Sequence, residues 1–194
     1  MRTLFNIFLL FGAVALLSGC SSTGAHVDQR LDPRTGVTVR WAREPVVLYL
    51  DNSAYGAHAR KYVSMGPIEV NRMGSYSYYL WFGVWNTVRD TERTVQDRDG
   101  FESVVLFVDG TPLPLDLTGR TLDTIGLSEP TYVKPVAGAA DAYYTVTLDQ
   151  IRMIAMSRDI ELHTGAGPLA TYVPWDGANA AADTFGAFTL RGIN

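Results

Sequence analysis

Apolar and polar positions alternate from Val37 onward. Val37, Val39 and Trp41 are separated by Thr38 and Arg40, the period-2 signature of a half-buried strand. Pro45 interrupts, and Val46 to Leu50 (VVLYL) reads as a buried strand ending at Asp51-Asn52. Ser53 to Val63 is ambiguous between a short helix and an irregular link. Alternation resumes over Pro67 to Asn71, and Met73-Gly74-Ser75 offers a turn. Tyr76 to Val88 then predicts a long strand. Tyr78, Leu80, Phe82 and Val84 would line one face, and Tyr79, Trp81 and Trp85 the other. Both faces are apolar, which predicts a central strand covered on both sides.

Thr91 to Gly100 is polar and predicts an exposed loop. Phe101 to Val108, then Asp109-Gly110, then Thr111 to Leu117 predicts a hairpin, because Asp-Gly supplies the positive φ angles of a tight turn. Pro112 and Pro114 cannot donate to a ladder, so the second strand is expected at an edge. Thr118 to Ala142 shows little periodicity and reads as a long loop. Tyr143 to Val146 is a further strand. Thr147-x-x-Gln150 then has the form of a capping box, followed by the helical stripe Leu148, Ile151, Ile154 and Ala155. That helix is expected to end near Ser157. Asp159 to Thr164 and Leu169 to Val173 could pair as a hairpin. Asp176 is placed to cap a last helix, with Ala178, Ala181, Ala182 and Phe185 on its inner face. A run of strands followed by a mixed C-terminal part predicts an α+β fold. Its core is expected to be an antiparallel sheet or sandwich with two short C-terminal helices.

The first twenty residues follow a different pattern. Arg2 precedes a run from Leu4 to Leu17 dominated by apolar residues, shorter than the roughly 20 that a spanning helix needs. Its length and order are those of a secretory signal. The ending Leu17-Ser18-Gly19-Cys20 resembles the lipobox of bacterial lipoproteins, a Leu, two small residues and a Cys. The resemblance covers this leader alone. It implies cleavage between Gly19 and Cys20, with Cys20 carrying acyl chains as the first residue of the mature protein. Several chains on one residue give stable anchoring where one gives only marginal binding. Ser21, rather than Asp, follows the cysteine, which implies sorting to the outer membrane. Residues 1–19 are therefore expected to be removed and 20–35, rich in Ser, Thr, Gly, Asp and Pro, to form a flexible tether. Residues 36–194 are expected to fold as a single β-rich domain.

Composition narrows the chemistry. The 194 residues are 47% hydrophobic and 19% charged, as in a globular domain. Losing Arg2 with the leader moves the formal charge from −4 to −5, so there is no electrostatic reason to bind nucleic acid. Cys20 is the single cysteine, which leaves no intramolecular disulfide and no cysteine-based zinc site. Neither a G-x-S-x-G elbow nor a phosphate-cradling glycine loop occurs, and no cofactor is expected. Asp97, Asp99 and Gly100 echo an EF-hand loop, but its first and last ligand positions would be Val95 and Leu106, which cannot bind calcium. His26, His58 and His163 have no second histidine at ligand spacing, so no metal is expected. His58 as a general base would need a nucleophile and an orienting partner. Asp149 in the first turn of a helix suits the helix dipole.

The expected protein is thus an outer-membrane-anchored periplasmic lipoprotein. It is expected to act as a non-catalytic interaction or assembly component that meets the membrane through its acyl chains and an envelope protein through its domain. One alternative is a binder of a small ligand or glycan, with Tyr78, Trp81 and Trp85 as an aromatic platform. Another is an envelope hydrolase with a site outside the known motifs.

Overall fold

Every strand pairing in the computed structural model is antiparallel, and the sheet closes on itself. Residues 27–50, 60–87, 100–165 and 170–190 are described. Their strands are β1 (Val27–Leu31), β2 (Thr38–Ala42), β3 (Val46–Leu50), β4 (Lys61–Arg72), β5 (Ser75–Asn86), β6 (Ser103–Val108), β7 (Thr111–Gly119), β8 (Ala140–Val146), β9 (Ile160–Thr164) and β10 (Ala170–Pro174). Helix α1 (Leu148–Ala155) lies between β8 and β9, and α2 (Ala180–Thr189) follows β10. The antiparallel, strand-rich core and the two C-terminal helices agree with the sequence pattern. The sandwich does not. Eight strands run in the order β4-β3-β10-β9-β6-β7-β8-β5, and β5 pairs with β4 to form a barrel. Closure removes the free edges that two packed sheets would keep.

Closure depends on β4, which has more than one neighbour on the same edge. Lys61 to Met65 pair with β3, whereas Ile68 to Asn71 pair with β2. Pro67 sits at the changeover. In the two-residue hairpin joining β4 to β5, Arg72 and Ser75 flank the turn and form a bonded pair, and bonded and non-bonded pairs alternate from there. Pro67 opposite Leu80 is therefore a non-bonded pair, and its nitrogen points to the β2/β3 edge, where the gap needs no donor. The same count corrects the edge expected for Thr111 to Leu117. β7 lies inside the barrel between β6 and β8, but its ladder to β8 begins only at Leu117. Pro112 and Pro114 face that unpaired stretch, so the missing donors cost nothing.

Paired strand is already present before the expected boundary near Gly36. Val27 to Leu31 pair with Thr38 to Ala42, so the tether cannot extend through residue 35. The expected leader, Cys20, His26, the ambiguous residues 53–59 and the polar loop from 91 to 99 lie outside the described residues. That set includes His58, Asp97 and Asp99.

The barrel is filled. Leu48, Met65, Leu80, Phe82, Tyr144 and Leu162 point inward and are buried. Eight strands make an interior that either holds one small ligand or is packed with side chains, and here α1 and α2 add Ile151, Ile154, Phe185 and Phe188 to the same core. The capping box of α1 is formed. Thr147 Oγ1 accepts from the Gln150 amide at 3.1 Å, and the Thr147 amide donates to Gln150 Oε1 at 2.7 Å. The N-cap position of α2 is Asn179 rather than Asp176, with no side-chain capping bond, and the helix buries Ala181, Phe185 and Phe188. Its last turn is held by Arg40, which donates to the Phe188 carbonyl at 2.6 Å and lies 4.6 Å from the Phe188 ring centre. Glu69 pairs with the same guanidinium at 3.8 Å.

A second core lies outside the barrel wall. The stretch Thr118 to Ala139, without periodicity in sequence, lays Ile125, Leu127 and Tyr132 against Trp41, Ile68, Trp81 and Tyr143. Trp81 and Tyr132 stack at 4.6 Å with planes 12° apart. Glycines make the room, because a Cβ on Gly83 would collide with the Trp81 ring and one on Gly66 with Tyr132. The Tyr132 hydroxyl donates to the Pro67 carbonyl at 3.0 Å, at the gap between β2 and β3. Asp32, fully buried after β1, ties this layer down. Its carboxylate accepts from the Ser128 amide and hydroxyl, both at 2.7 Å, and from the amides of Thr35 at 3.0 Å and Arg34 at 3.2 Å.

Candidate functional site

With the interior filled, the accessible chemistry lies on the outer wall. Outward positions of adjacent strands place Tyr49 of β3 beside Tyr62 of β4, and Tyr62 beside Trp85 of β5. Trp175, just after β10, joins the row because its amide donates to the Val47 carbonyl at 2.8 Å. Tyr62 and Trp85 stack at 4.3 Å with planes 14° apart. Trp175 meets Tyr49 edge to face at 5.2 Å and Tyr62 at 5.9 Å. Arg60, before β4, lies 5.2 Å from the Trp175 ring centre and 5.9 Å from that of Tyr49. Trp85 Nε1 donates to the buried Ser64 hydroxyl at 3.4 Å, which fixes the indole. Trp175 stays 48% exposed, and Tyr49, Tyr62 and Trp85 are half-buried. The result is a rigid aromatic surface carrying a cation.

The residues singled out from sequence do not form one surface. Trp85 belongs to this row. Trp81 is buried, with its Nε1 donating to Asp141 Oδ1 at 3.0 Å and Lys134 pairing with the same carboxylate at 2.7 Å. Tyr78 points to the opposite side of β5 and packs against the inner core. Sequence reasoning missed Tyr49, Tyr62, Trp175 and Arg60. The alternation of VVLYL and KYV places Tyr49 and Tyr62 on outward faces, but only cross-strand register brings them together.

Several titratable groups elsewhere are engaged structurally. His163 Nε2 lies 3.1 Å from Glu161 Oε2, and the imidazole packs 4.5 Å from the Phe107 ring centre. Asp149 is exposed in the first turn of α1 and pairs with Arg152 at 2.9 Å. Tyr144 is buried and donates to the Phe101 carbonyl at 2.7 Å, and burial pushes its hydroxyl pKa up. Burial alone would raise the Asp32 carboxyl, but the bonds from Ser128 and Thr35 outweigh it and hold the group well below the carboxylate range. Among the described residues no three His, Cys, Asp or Glu side chains are grouped to hold a metal ion, and no helix is long and apolar enough to cross a membrane. Set against known proteins, the chain matches no family model, no curated protein and no solved structure.

Proposed function

We propose that this chain is a lipid-anchored component of the outer membrane whose barrel docks an envelope protein through the row Trp175, Tyr49, Tyr62 and Trp85. The leader and lipobox residues support the anchor. Six residues separate Cys20 from Val27, a reach of at most about 25 Å over the seven Cα–Cα steps. Such a tether keeps the domain near the bilayer and favours partners found there.

The observation that carries the docking role is the half-exposed Trp, Tyr and Arg surface on a barrel whose interior is already full. Those residue types dominate the binding energy of protein interfaces. A glycan would need open ring faces for stacking. Here Tyr62 and Trp85 cover one another, and Arg60 lies over Trp175. The mutual packing therefore favours a protein partner, for which a rigid, pre-ordered surface lowers the entropy of binding. The same surface supports an interaction or assembly role.

The test is site-specific photo-crosslinking in intact envelopes. A photoreactive phenylalanine analogue placed at Trp175 should give a discrete protein adduct, absent when the analogue is placed at Asp149. An adduct of equal yield at both positions, or none at Trp175, refutes the docking surface.

A further inference from the structure

The outward face at the tip of the β4–β5 hairpin lines a cleft separate from the aromatic row. Val70 and Arg72 of β4 stand beside Ser75, Ser77 and Tyr79 of β5, and a 3-10 turn over Leu122–Ile125 with Gly126 forms the facing wall. The space between them is about 460 Å³, within the range of small-ligand sites.

Both walls are locked. Met73 and Gly74 hold positive φ angles of 52° and 93°, the geometry of a tight hairpin turn, and Asn71 Oδ1 accepts from the Gly74 amide at 2.8 Å. That fixes Arg72 opposite Ser75. On the other wall the Gly126 amide donates to the Asp123 carbonyl at 3.0 Å and the Leu127 amide to the Leu122 carbonyl at 3.0 Å. Gly126 has φ of +77°, and a Cβ there would stand 2.8 Å from Arg72 Nη2. The positive φ favours glycine here, and without a side chain at this position the guanidinium rests against backbone. Among the described residues, the side chains of Arg72, Ser75, Ser77 and Tyr79 make no hydrogen bond or ion pair. A guanidinium with five donors and three free hydroxyls thus share one cleft whose backbone walls are fixed.

We propose that this cleft binds an acidic saccharide, with Arg72 forked onto the sugar carboxylate and Ser75, Ser77 and Tyr79 bonded to ring hydroxyls. A guanidinium matches a carboxylate in two parallel bonds. Asp123 on the facing wall can accept from a further sugar hydroxyl, a bond that sulfate, having no donor, cannot make. The hydroxyls act as donors or acceptors, as sugar hydroxyls require. The site is independent of the aromatic docking surface, and the two proposals fail separately.

The test titrates the full lipidated chain in detergent micelles with glucuronate, glucose and sulfate, followed by calorimetry. Glucuronate should bind saturably in the millimolar range and glucose about tenfold more weakly. Arg72→Gln should weaken glucuronate by about tenfold and leave glucose unchanged. Ser77→Ala should weaken both sugars. Sulfate binding as tight as glucuronate would show a bare anion site and overturn the proposal. So would the lack of saturable glucuronate binding, or equal affinity of Arg72→Gln. Arg72 is exposed, and an unchanged thermal transition would verify that the variant folds.

Discussion

Replacing Asp32 with Asn keeps the shape of the side chain and inverts part of its hydrogen bonding. Oδ1 accepts from the Arg34 amide, the Thr35 amide and the Ser128 hydroxyl, while Oδ2 accepts from the Ser128 amide. An Asn oxygen in the Oδ1 position keeps the first set as neutral bonds. Its NH2 group then faces the Ser128 N–H, so one charge-assisted bond is lost and two buried donors oppose each other. A bond to a charged group contributes about 1.5 to 3 kcal/mol, and the weakened remainder adds to that. The expected loss is about 3 kcal/mol at pH 7. For a domain of this size it lowers the midpoint by about 6 to 12 °C.

The pH dependence sharpens the test. The folded carboxyl is held below its unfolded value of about 3.9. Its contribution is therefore present in full above the unfolded pKa and is lost as pH falls through the folded one. Near pH 3 the unfolded Asp32 is mostly protonated while the folded group is still ionised. The gap between wild type and Asp32→Asn should narrow there by about 1 kcal/mol. Urea unfolding followed by circular dichroism at both pH values measures each quantity. A variant within about 0.5 kcal/mol of wild type at pH 7 would refute the clamp. A gap that stays constant or widens at pH 3 would refute the charge.

Two further substitutions probe the outer layer and the anchor. Gly66→Ala should destabilise the fold by about 1 to 3 kcal/mol because its methyl meets the buried Tyr132 ring. The effect should largely vanish in a Tyr132→Ala background, and simple additivity in that double-mutant cycle would refute the contact. Cys20→Ser should abolish incorporation of labelled palmitate and leave the precursor unprocessed, and persistent labelling would refute the lipobox reading.

Local chemistry was legible in the sequence wherever one element sets its own geometry. The Asp109-Gly110 turn adopts positive φ at both residues, 49° and 76°, as that dipeptide requires. The Thr147 to Gln150 box caps its helix, the inner face of β5 is covered by the barrel core, and the Trp81 part of its outer face is covered by the outer layer. What stayed hidden depends on neighbours distant in sequence. The two halves of β4 read as separate segments because its upstream part lies in the ambiguous run and Pro67 breaks the pattern. Pro67 is harmless only because β3 and β2 abut at that position. Pro112 and Pro114 correctly signalled unpaired backbone, yet that backbone is a slit in a closed wall rather than the rim of a sheet.

The aromatic residues show the same limit and its functional consequence. Composition cannot tell Trp81 from Trp85, which lie on one face of one strand four residues apart. Their fates diverge because the layer containing Tyr132 and Lys134 covers only the Trp81 end of β5. At the other end Trp85 meets Tyr62, and the register of β3 and the placement of Trp175 extend the row outward. A platform read along one strand would have been Tyr78, Trp81 and Trp85. The platform the barrel builds runs across β3, β4 and β5 and the residue after β10, transverse to the strands, and keeps only Trp85. Removing the outer layer would therefore expose new aromatic surface without enlarging the docking row. Trp81 variants should then alter stability while leaving crosslinking at Trp175 unchanged.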